Sequence, residues 1–368
     1  MNYHMILTER CNSRCKYCYE KSMKEFENGL EEKWNYDDNV PFDSEVDIDK
    51  LKKFLKPEDR LIFYGGEPLL KIDKIKEIIE KINCKFGMQT NGLILDELPV
   101  EVLKKIDKIL VSIDGAQKRT DENRGKENYE RVLKNLKEIR DNRYRGEIIA
   151  RMVVTKSDIF EQVLHILKLI DDGIFDSVHW QIDAGFYRFD FYEKNFEKFV
   201  EEYNAEIEKL ISFWTSKMKE GKFYRIYPFV GVVSRILGFD KDEGIPCGSG
   251  CKNFTINTKG DLSACPIMNS VKNFYCGSVE NGVTKKIAVE NEECLNCDEF
   301  QICGGRCLYW RNAKLWPSVG DELICKTIKF LIETLRKKSN EIKKLIDDDI
   351  VKRSDFDYEK YFGPEIIP

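Results

Sequence analysis

Six short apolar runs, each ending in polar or glycine-rich residues, are spaced along the first half of this 368-residue chain. They read YHMILTE (3–9), RLIFYGGEP (60–68), KFGMQTNG (85–92), KILVSIDG (108–115), EIIARMVVT (147–155) and SVHWQID (177–183). Helical periodicity fills the gaps after the second run: LLKIDKIKEIIEKI, VEVLKKI, and stretches near 127–140 and 159–171. A strand followed by a helix cannot pair with the next strand as a hairpin, so the alternation predicts a parallel sheet with right-handed crossovers. The fold class is therefore α/β, with the parallel strands in a barrel or an open sheet. In such folds sites are built where the strands end at their C-terminal edge. GGEP, QTNG and SIDG all fall on that edge.

Beyond the sixth run the texture changes. Residues 190–240 read as amphipathic helices, clearest in FEKFVEEYNAEIEKLISFW, and from about 245 short hairpin-like pieces carry cysteines. A last helical run, KTIKFLIETLRKKSNEIKKLI, precedes a polar tail expected to be loosely held. The sequence thus divides into a barrel (1–190), a helical bridge (191–244), and a small cysteine-rich α+β domain with a C-terminal helix (245–368). Lys and Arg total 60 against 65 Asp and Glu, a net charge of −5, so no basic field invites nucleic acid or acidic lipid. No signal peptide and no run of apolar residues long enough to span a bilayer is present, which predicts a cytoplasmic protein with reduced thiols.

The 13 cysteines are unevenly placed: Cys11, Cys15 and Cys18 near the start, Cys84 alone, and nine between Cys247 and Cys325. Three thiols in CNSRCKYC are a poor disulfide set and one short of a closed zinc site. They suit an iron–sulfur cube with one iron left open, a catalytic zinc that keeps a water position, or a zinc knuckle. Zinc motifs normally come as paired C-x2-C, so the spacing favours the open cluster. Only three histidines exist, none spaced as a metal pair. Cys84, at the start of a strand, reads as a core residue.

C-x3-C-x2-C with Tyr17 before the last cysteine resembles the signature of the radical S-adenosylmethionine (radical SAM) enzymes. GGEP (Gly65, Gly66, Glu67, Pro68) is similar to their second motif, and SIDG followed by DENRG resembles the subgroup that modifies peptides and proteins. The resemblance implies a partial (β/α)6 barrel and a [4Fe-4S] cluster on Cys11, Cys15 and Cys18, whose open iron binds S-adenosylmethionine and whose electron generates a 5′-deoxyadenosyl radical. It implies cofactor contacts by Tyr17, the GGEP turn, Asn91, Ser112, Asp114 and Arg124. Glu67 would accept from the ligand's ammonium as a charge-assisted hydrogen bond, and Arg124 would pair with its carboxylate.

The second cysteine field, C-x2-C-x5-C-x3-C from Cys294 to Cys307 and then Cys325, resembles the SPASM extension of such enzymes. That extension implies two auxiliary [4Fe-4S] clusters, three in all. By the family pattern Cys247, Cys251, Cys265 and Cys307 would hold the first, and Cys294, Cys297, Cys303 and Cys325 the second. Cys251 as a spectator, and Cys276 as a substitute ligand, are the alternatives for the first. A zinc-ribbon-like domain is the competing reading of the whole field.

The extension implies a ribosomally made precursor peptide as substrate, an oxidative crosslink or rearrangement as product, and a reductant such as ferredoxin or flavodoxin. No N-terminal peptide-recognition domain is expected ahead of the first strand. Recognition then falls to the barrel rim, the 20–46 insertion, the 190–240 helices or a separate protein. Gln181 and Asp183 end the sixth strand where substrate contacts are expected, with Asp183 the catalytic candidate. The aromatic run GFYRFDFYEKNF (185–196) reads either as a substrate groove or as helix–barrel packing. A formylglycine-type sulfatase maturase is the alternative enzyme; in that branch an aspartate follows the auxiliary-cluster cysteine, whereas here Pro266 follows Cys265. A non-catalytic iron–sulfur carrier or zinc adaptor is the alternative from another class.

Overall fold

The computed structural model describes residues 1–19, 29–242 and 244–362. Of the 20–46 insertion named above, residues 20–28 lie outside the described part. Along the chain run β1 (Asn2–Thr8), α1 (Ile48–Phe54), β2 (Arg60–Gly65), α2 (Ile72–Lys81), β3 (Lys85–Thr90), β4 (Ile106–Ser112), α3 (Gln117–Arg124), α4 (Asn128–Asp141) and β5 (Glu147–Val154). There follow α5 (Ile159–Asp171), β6 (Ser177–Ile182), α6 (Phe196–Lys219), β7 (Arg225–Ile226) and α7 (Tyr227–Ile236). The cysteine field supplies β8 (Asn253–Ile256), β9 (Asp261–Ser263), β10 (Tyr275–Ser278) and β11 (Gly282–Val283), before the long α8 (Ser318–Asp347). All six strands expected from the sequence form. Of VEVLKKI only Val100–Leu103 is helical, because β4 begins two residues earlier than its apolar run suggests.

The chain divides into two compact units. The first contains residues 1–151, 172–176 and 248–288. Within it β1, β2, β3, β4 and the start of β5 pair in parallel, in that order. Every residue of β1 is buried, as expected of a strand covered on both faces. Its second edge is taken by β8, also parallel, with Asn2 opposite Asn253 and His4 opposite Thr255. From β8 the sheet continues antiparallel through β9, β10 and β11. His4 lies Nδ1 to Asn253 Oδ1 at 2.9 Å, a buried polar pair that fixes this register.

The second unit contains residues 152–171, 177–247 and 289–362 of the described chain. Helix α6 buries Val200, Tyr203, Ile207, Leu210, Ile211, Trp214 and Met218, a stripe at helical spacing. Helix α8 buries a matching stripe through Ile324, Ile328, Leu331, Leu335 and Ile342. The indoles inside this core find acceptors, Trp180 at Tyr203 Oη (2.8 Å) and Trp214 at the Tyr224 carbonyl (2.8 Å). The C-terminal tail, expected to be loose, is held through residue 362, and residues 363–368 lie outside the described part. Phe356 is buried, its ring 5.0 Å from Phe223 and 6.1 Å from Phe239, centroid to centroid. Phe356 anchors this stretch because the cavity it fills is already lined by rings.

Candidate active site

The first unit builds a site around the three-cysteine loop, and the loop begins where β1 ends. Gly66 N–H donates to the Thr8 carbonyl (2.8 Å) and Glu67 N–H to the Arg10 carbonyl (2.9 Å), so the GGEP turn is stitched to the loop's entry. This approach requires glycine. A Cβ on Gly66 would stand 2.3 Å from the Arg10 carbonyl oxygen, and one on Gly65, at φ +139°, 2.2 Å from that of Thr8.

Glu67 occupies the hub of that turn. Its Oε1 accepts from Leu69 N–H (3.0 Å) and Thr90 Oγ1 (2.7 Å), and its Oε2 from Asn91 N–H (2.7 Å). The carboxyl is fully buried, and burial pushes its pKa up to about 7 despite these three donors. Three of its roughly four lone-pair directions are taken by the chain itself. Its visible work is to fasten the end of β3 to the turn after β2.

Asn91 continues from there toward the thiols. Its Nδ2 donates to Asn12 Oδ1 (2.7 Å) and stands 3.8 Å from Cys11 Sγ. Ser13 Oγ lies 3.5 Å from Cys15 Sγ and donates to the Arg124 carbonyl (3.1 Å), while Lys16 N–H donates to the Asn123 carbonyl (2.9 Å). The far side of the loop is held by Asp114, at the end of β4. Tyr17 Oη donates to its Oδ2 (2.6 Å), Asn123 Nδ2 to the same oxygen (3.1 Å), and Arg124 Nη2 to Oδ1 (2.8 Å). Arg124 also lies 5.3 Å from the Tyr17 ring centroid. Burial opposes the guanidinium's charge, but Asp114 together with Tyr17 and Cys15 offsets it and the pKa is raised.

The cofactor candidates of the sequence therefore converge: Cys11, Cys15, Cys18, Tyr17, Gly65, Gly66, Glu67, Asn91, Asp114 and Arg124 lie in one connected set. Arg124, expected to face a ligand carboxylate, spends one nitrogen on Asp114 and leaves its buried Nε without a hydrogen-bond partner among the described residues. Pro68 starts the short 3-10 turn after Glu67. Ser112, half-buried at the end of β4, makes no contact with the others. Thr90, Asn12, Ser13 and Asn123 were not singled out in the sequence. Each stood inside a quoted stretch, Asn12 and Ser13 in CNSRCKYC, Thr90 in QTNG and Asn123 in DENRG, with nothing local to mark it from its neighbours.

In the second unit Cys294, Cys297, Cys303 and Cys325 line one cavity of about 420 Å³ together with Arg311, Trp316 and Asp321. Arg311 Nη2 donates to Cys325 Sγ at 3.1 Å. None of the 13 cysteines is in a disulfide. Cys247 and Cys307 belong to this unit, Cys251 and Cys265 to the first. Buried Cys276 is within electrostatic reach of Cys251 in the first unit, and burial raises its pKa to about 11. Cys84 is half-buried at the entry to β3.

Asp183, at the end of β6, accepts from Lys194 Nζ (2.7 Å), which also reaches Asp190 (3.5 Å). Asp190 accepts in turn from the Trp316 indole. Burial raises the Asp190 pKa to about 6. The aromatic run mostly packs: Phe186 stacks on Tyr309, and Phe191 and Phe196 surround Trp316, leaving Phe189 and Tyr192 exposed.

Comparison with known proteins agrees with this construction. Residues 5–170 match the Radical SAM superfamily. An uncharacterized protein of Archaeoglobus fulgidus is 28% identical over 82% of this chain and 72% of its own length. The radical SAM cyclopropyl synthase TigE of Paramaledivibacter caminithermalis is 20% identical (92% and 74%), and a cysteine-type anaerobic sulfatase-maturating enzyme of Clostridium novyi 22% (89% and 92%). Among solved structures, anSMEcpe with bound AdoMet and Cp18Cys peptide superimposes with a TM-score of 0.65 at 18% identity, covering 93% of this chain and 99% of that one. Streptococcus suis SuiB bound to its precursor peptide SuiA gives 0.52 at 14% identity, covering 83% and 71%. Among the described residues no helix is long and apolar enough to cross a membrane. Residues 5–170 are a radical SAM domain.

Proposed function

We propose that the chain is a peptide maturase that oxidatively crosslinks or rearranges a residue of a ribosomally made precursor. The observation that carries this reading is the fastening of the three-thiol loop to two strand ends, by Asn91 after β3 and by Asp114 after β4. A loop held on both sides keeps three thiols in register for a four-iron cluster while committing no fourth side chain to it. The chemistry gained on loading is one-electron cleavage of S-adenosylmethionine to a hydrogen-abstracting radical.

The chain's own residues would do the rest. Glu67 keeps the GGEP backbone close to the loop, Arg124 Nε and the Ser112 hydroxyl are donors left for a carboxylate or ribose, and Tyr17 offers its ring face beside them. In the second unit Asp183, held by Lys194, is the candidate to contact the substrate or take its proton. The cavity lined by Cys294, Cys297, Cys303 and Cys325 suits an auxiliary cluster: three of its thiols, Cys294, Cys303 and Cys325, face the guanidiniums of Arg306 and Arg311, and an anionic centre is what such a donor set accommodates. Precursor-peptide binding by SuiB and peptide binding by anSMEcpe support a peptide substrate, and TigE supports an oxidative ring-forming reaction.

The sulfatase-maturase alternative is favoured by the near-complete coverage of the Clostridium relative and opposed by Pro266 in the position after Cys265. The test is anaerobic reconstitution with iron and sulfide, then dithionite and S-adenosylmethionine, with 5′-deoxyadenosine as readout. Cleavage that disappears in Cys15→Ala supports the radical reading; bound zinc without cleavage defeats it. Incubation with a sulfatase-derived cysteine peptide separates the two enzymes, since an aldehyde product identifies the alternative.

A further inference from the structure

Two arginines stand beside the four-cysteine cavity of the second unit, and their surroundings are unusual for buried cations. Arg306 is only 5% exposed, and its Nε has no hydrogen-bond partner among the described residues. The groups acting on it most strongly are the sulfurs of Cys307, Cys303 and Cys325 and the guanidinium of Arg311, the Tyr203 phenol also faces it, and it makes no ion pair with a carboxylate among the described residues. Its guanidinium lies 5.4 Å from the Trp310 ring centroid. A buried guanidinium without an anion is strongly disfavoured, and a second cation beside it makes matters worse.

The backbone is also bent to put Arg306 there. Gly304, Gly305 and Arg306 are three consecutive residues at positive φ (+64°, +88° and +63°). The glycines are required, since a Cβ on Gly304 would stand 1.9 Å from the Gly244 carbonyl oxygen. Arg306 carries a side chain into a conformation that glycine would adopt without cost. Arg311 completes the arrangement. Its Nη2 donates to Cys325 Sγ (3.1 Å) and its Nε to the Gly305 carbonyl (3.4 Å). Cys325, Cys294 and Asp321 face it, and Asp321 Oδ1 is itself engaged by the Trp310 indole (2.5 Å).

We propose that Arg306 and Arg311 set the reduction potential of an iron–sulfur cluster held by Cys294, Cys297, Cys303 and Cys325, raising it so that this cluster accepts an electron. The proposal rests on the reading that these four cysteines ligate a cluster. An oxidised four-iron core with four thiolates carries a net charge of about −2, which the two guanidiniums neutralise. One-electron reduction adds a further negative charge to the cluster, so adjacent cations and an N–H···S bond stabilise the reduced form more than the oxidised one. No bond is made or broken. In the test below the electron comes from dithionite through redox mediators.

The experiment is an EPR-monitored redox titration of the full reconstituted chain, with iron counted per chain. The signal lost in the Cys294→Ala/Cys325→Ala variant belongs to this cluster. Arg311→Gln is expected to bind as much iron as the wild type and to shift that signal's reduction equilibrium at least tenfold toward the oxidised form, about 59 mV lower for one electron. Arg311→Lys, which keeps the charge, should recover at least half of the shift, and Arg306→Met should move the potential in the same direction. A potential unchanged in Arg311→Gln at full iron content overturns the proposal and leaves the cluster reading standing. If removing the two cysteines costs neither iron nor an EPR signal, the cluster reading fails and takes the proposal with it.

Discussion

Tyr17 and Asp114, 97 residues apart, are joined by a 2.6 Å hydrogen bond from phenol to carboxylate. The bond ties the middle of the cysteine loop to the end of β4, and the other carboxylate oxygen holds Arg124. Both members of the ion pair are buried, with side-chain exposures of 7% for Arg124 and 0% for Asp114.

Removing one partner of such a pair strands the other. Asp114→Asn is expected to lower unfolding free energy by about 3–5 kcal/mol. Urea denaturation of the unloaded chain measures it, and the Asp114→Asn/Arg124→Met double variant should recover part of the loss. A cost well under about 1 kcal/mol would mean that the pair does not hold the loop.

Glu67 gives stability a pH dependence of defined sign. Its folded pKa of about 7 lies above the ordinary 4.5, so between these values the folded chain holds a proton that the unfolded chain has released. Its contribution is complete below pH 4.5 and is lost as pH rises through about 7. Glu67→Gln removes this dependence while carrying a constant penalty, since its NH2 would face the Asn91 donor. Relative to wild type, the variant should therefore gain about 3 kcal/mol between pH 4.5 and 7. Chemical denaturation across that range reads the difference; parallel curves would refute it.

Gly66→Ala places a methyl against two backbone carbonyls, 2.3 Å from that of Arg10 and 2.6 Å from that of Glu9. Neither can rotate away as a side chain would, so a loss of about 1–3 kcal/mol is expected. Because the displaced turn is stitched to the loop entry, iron bound on reconstitution should fall as well. Full iron binding at wild-type stability would show that the turn shifts freely.

Phe356→Ala empties the ring-lined site that holds the C-terminal tail, at an expected cost of about 3–5 kcal/mol. Limited proteolysis provides an independent readout, with cleavage after the end of α8 appearing in the variant before the core is cut. Unchanged protection would show that Tyr358 and Phe362 hold the tail without it.

The strand and helix spans were legible because hydrophobic period and glycine punctuation are local properties, and β1 to β6 fall where their apolar runs lie. The thiol loop and GGEP were legible for a similar reason: residue spacing carries them. Asp114 as a hub was not, since Tyr17, Asn123 and Arg124 meet only once β4 and α3 are placed. Glu67 shows the same limit from the other direction. An acidic residue after two glycines looks like a ligand contact, and only the fold reveals three chain donors already on it. Arg306 and Arg311 sat in plain view between the cysteines, but that Arg306 is buried without a carboxylate ion pair among the described residues is a property of the fold, which no local pattern reports.

The pairing of β1 on both edges has a consequence for synthesis. One neighbour, β2, follows within about 60 residues, but β8 comes roughly 250 residues after β1. At about 5–20 residues per second, the second edge of β1 waits on the order of 10–50 s for its partner to be made. Through that interval a strand whose every residue is buried in the folded chain presents unpaired amides and carbonyls, the template on which mispairing begins. The nascent chain is thus most vulnerable after its parallel strands have formed and before its cysteine-rich hairpins emerge.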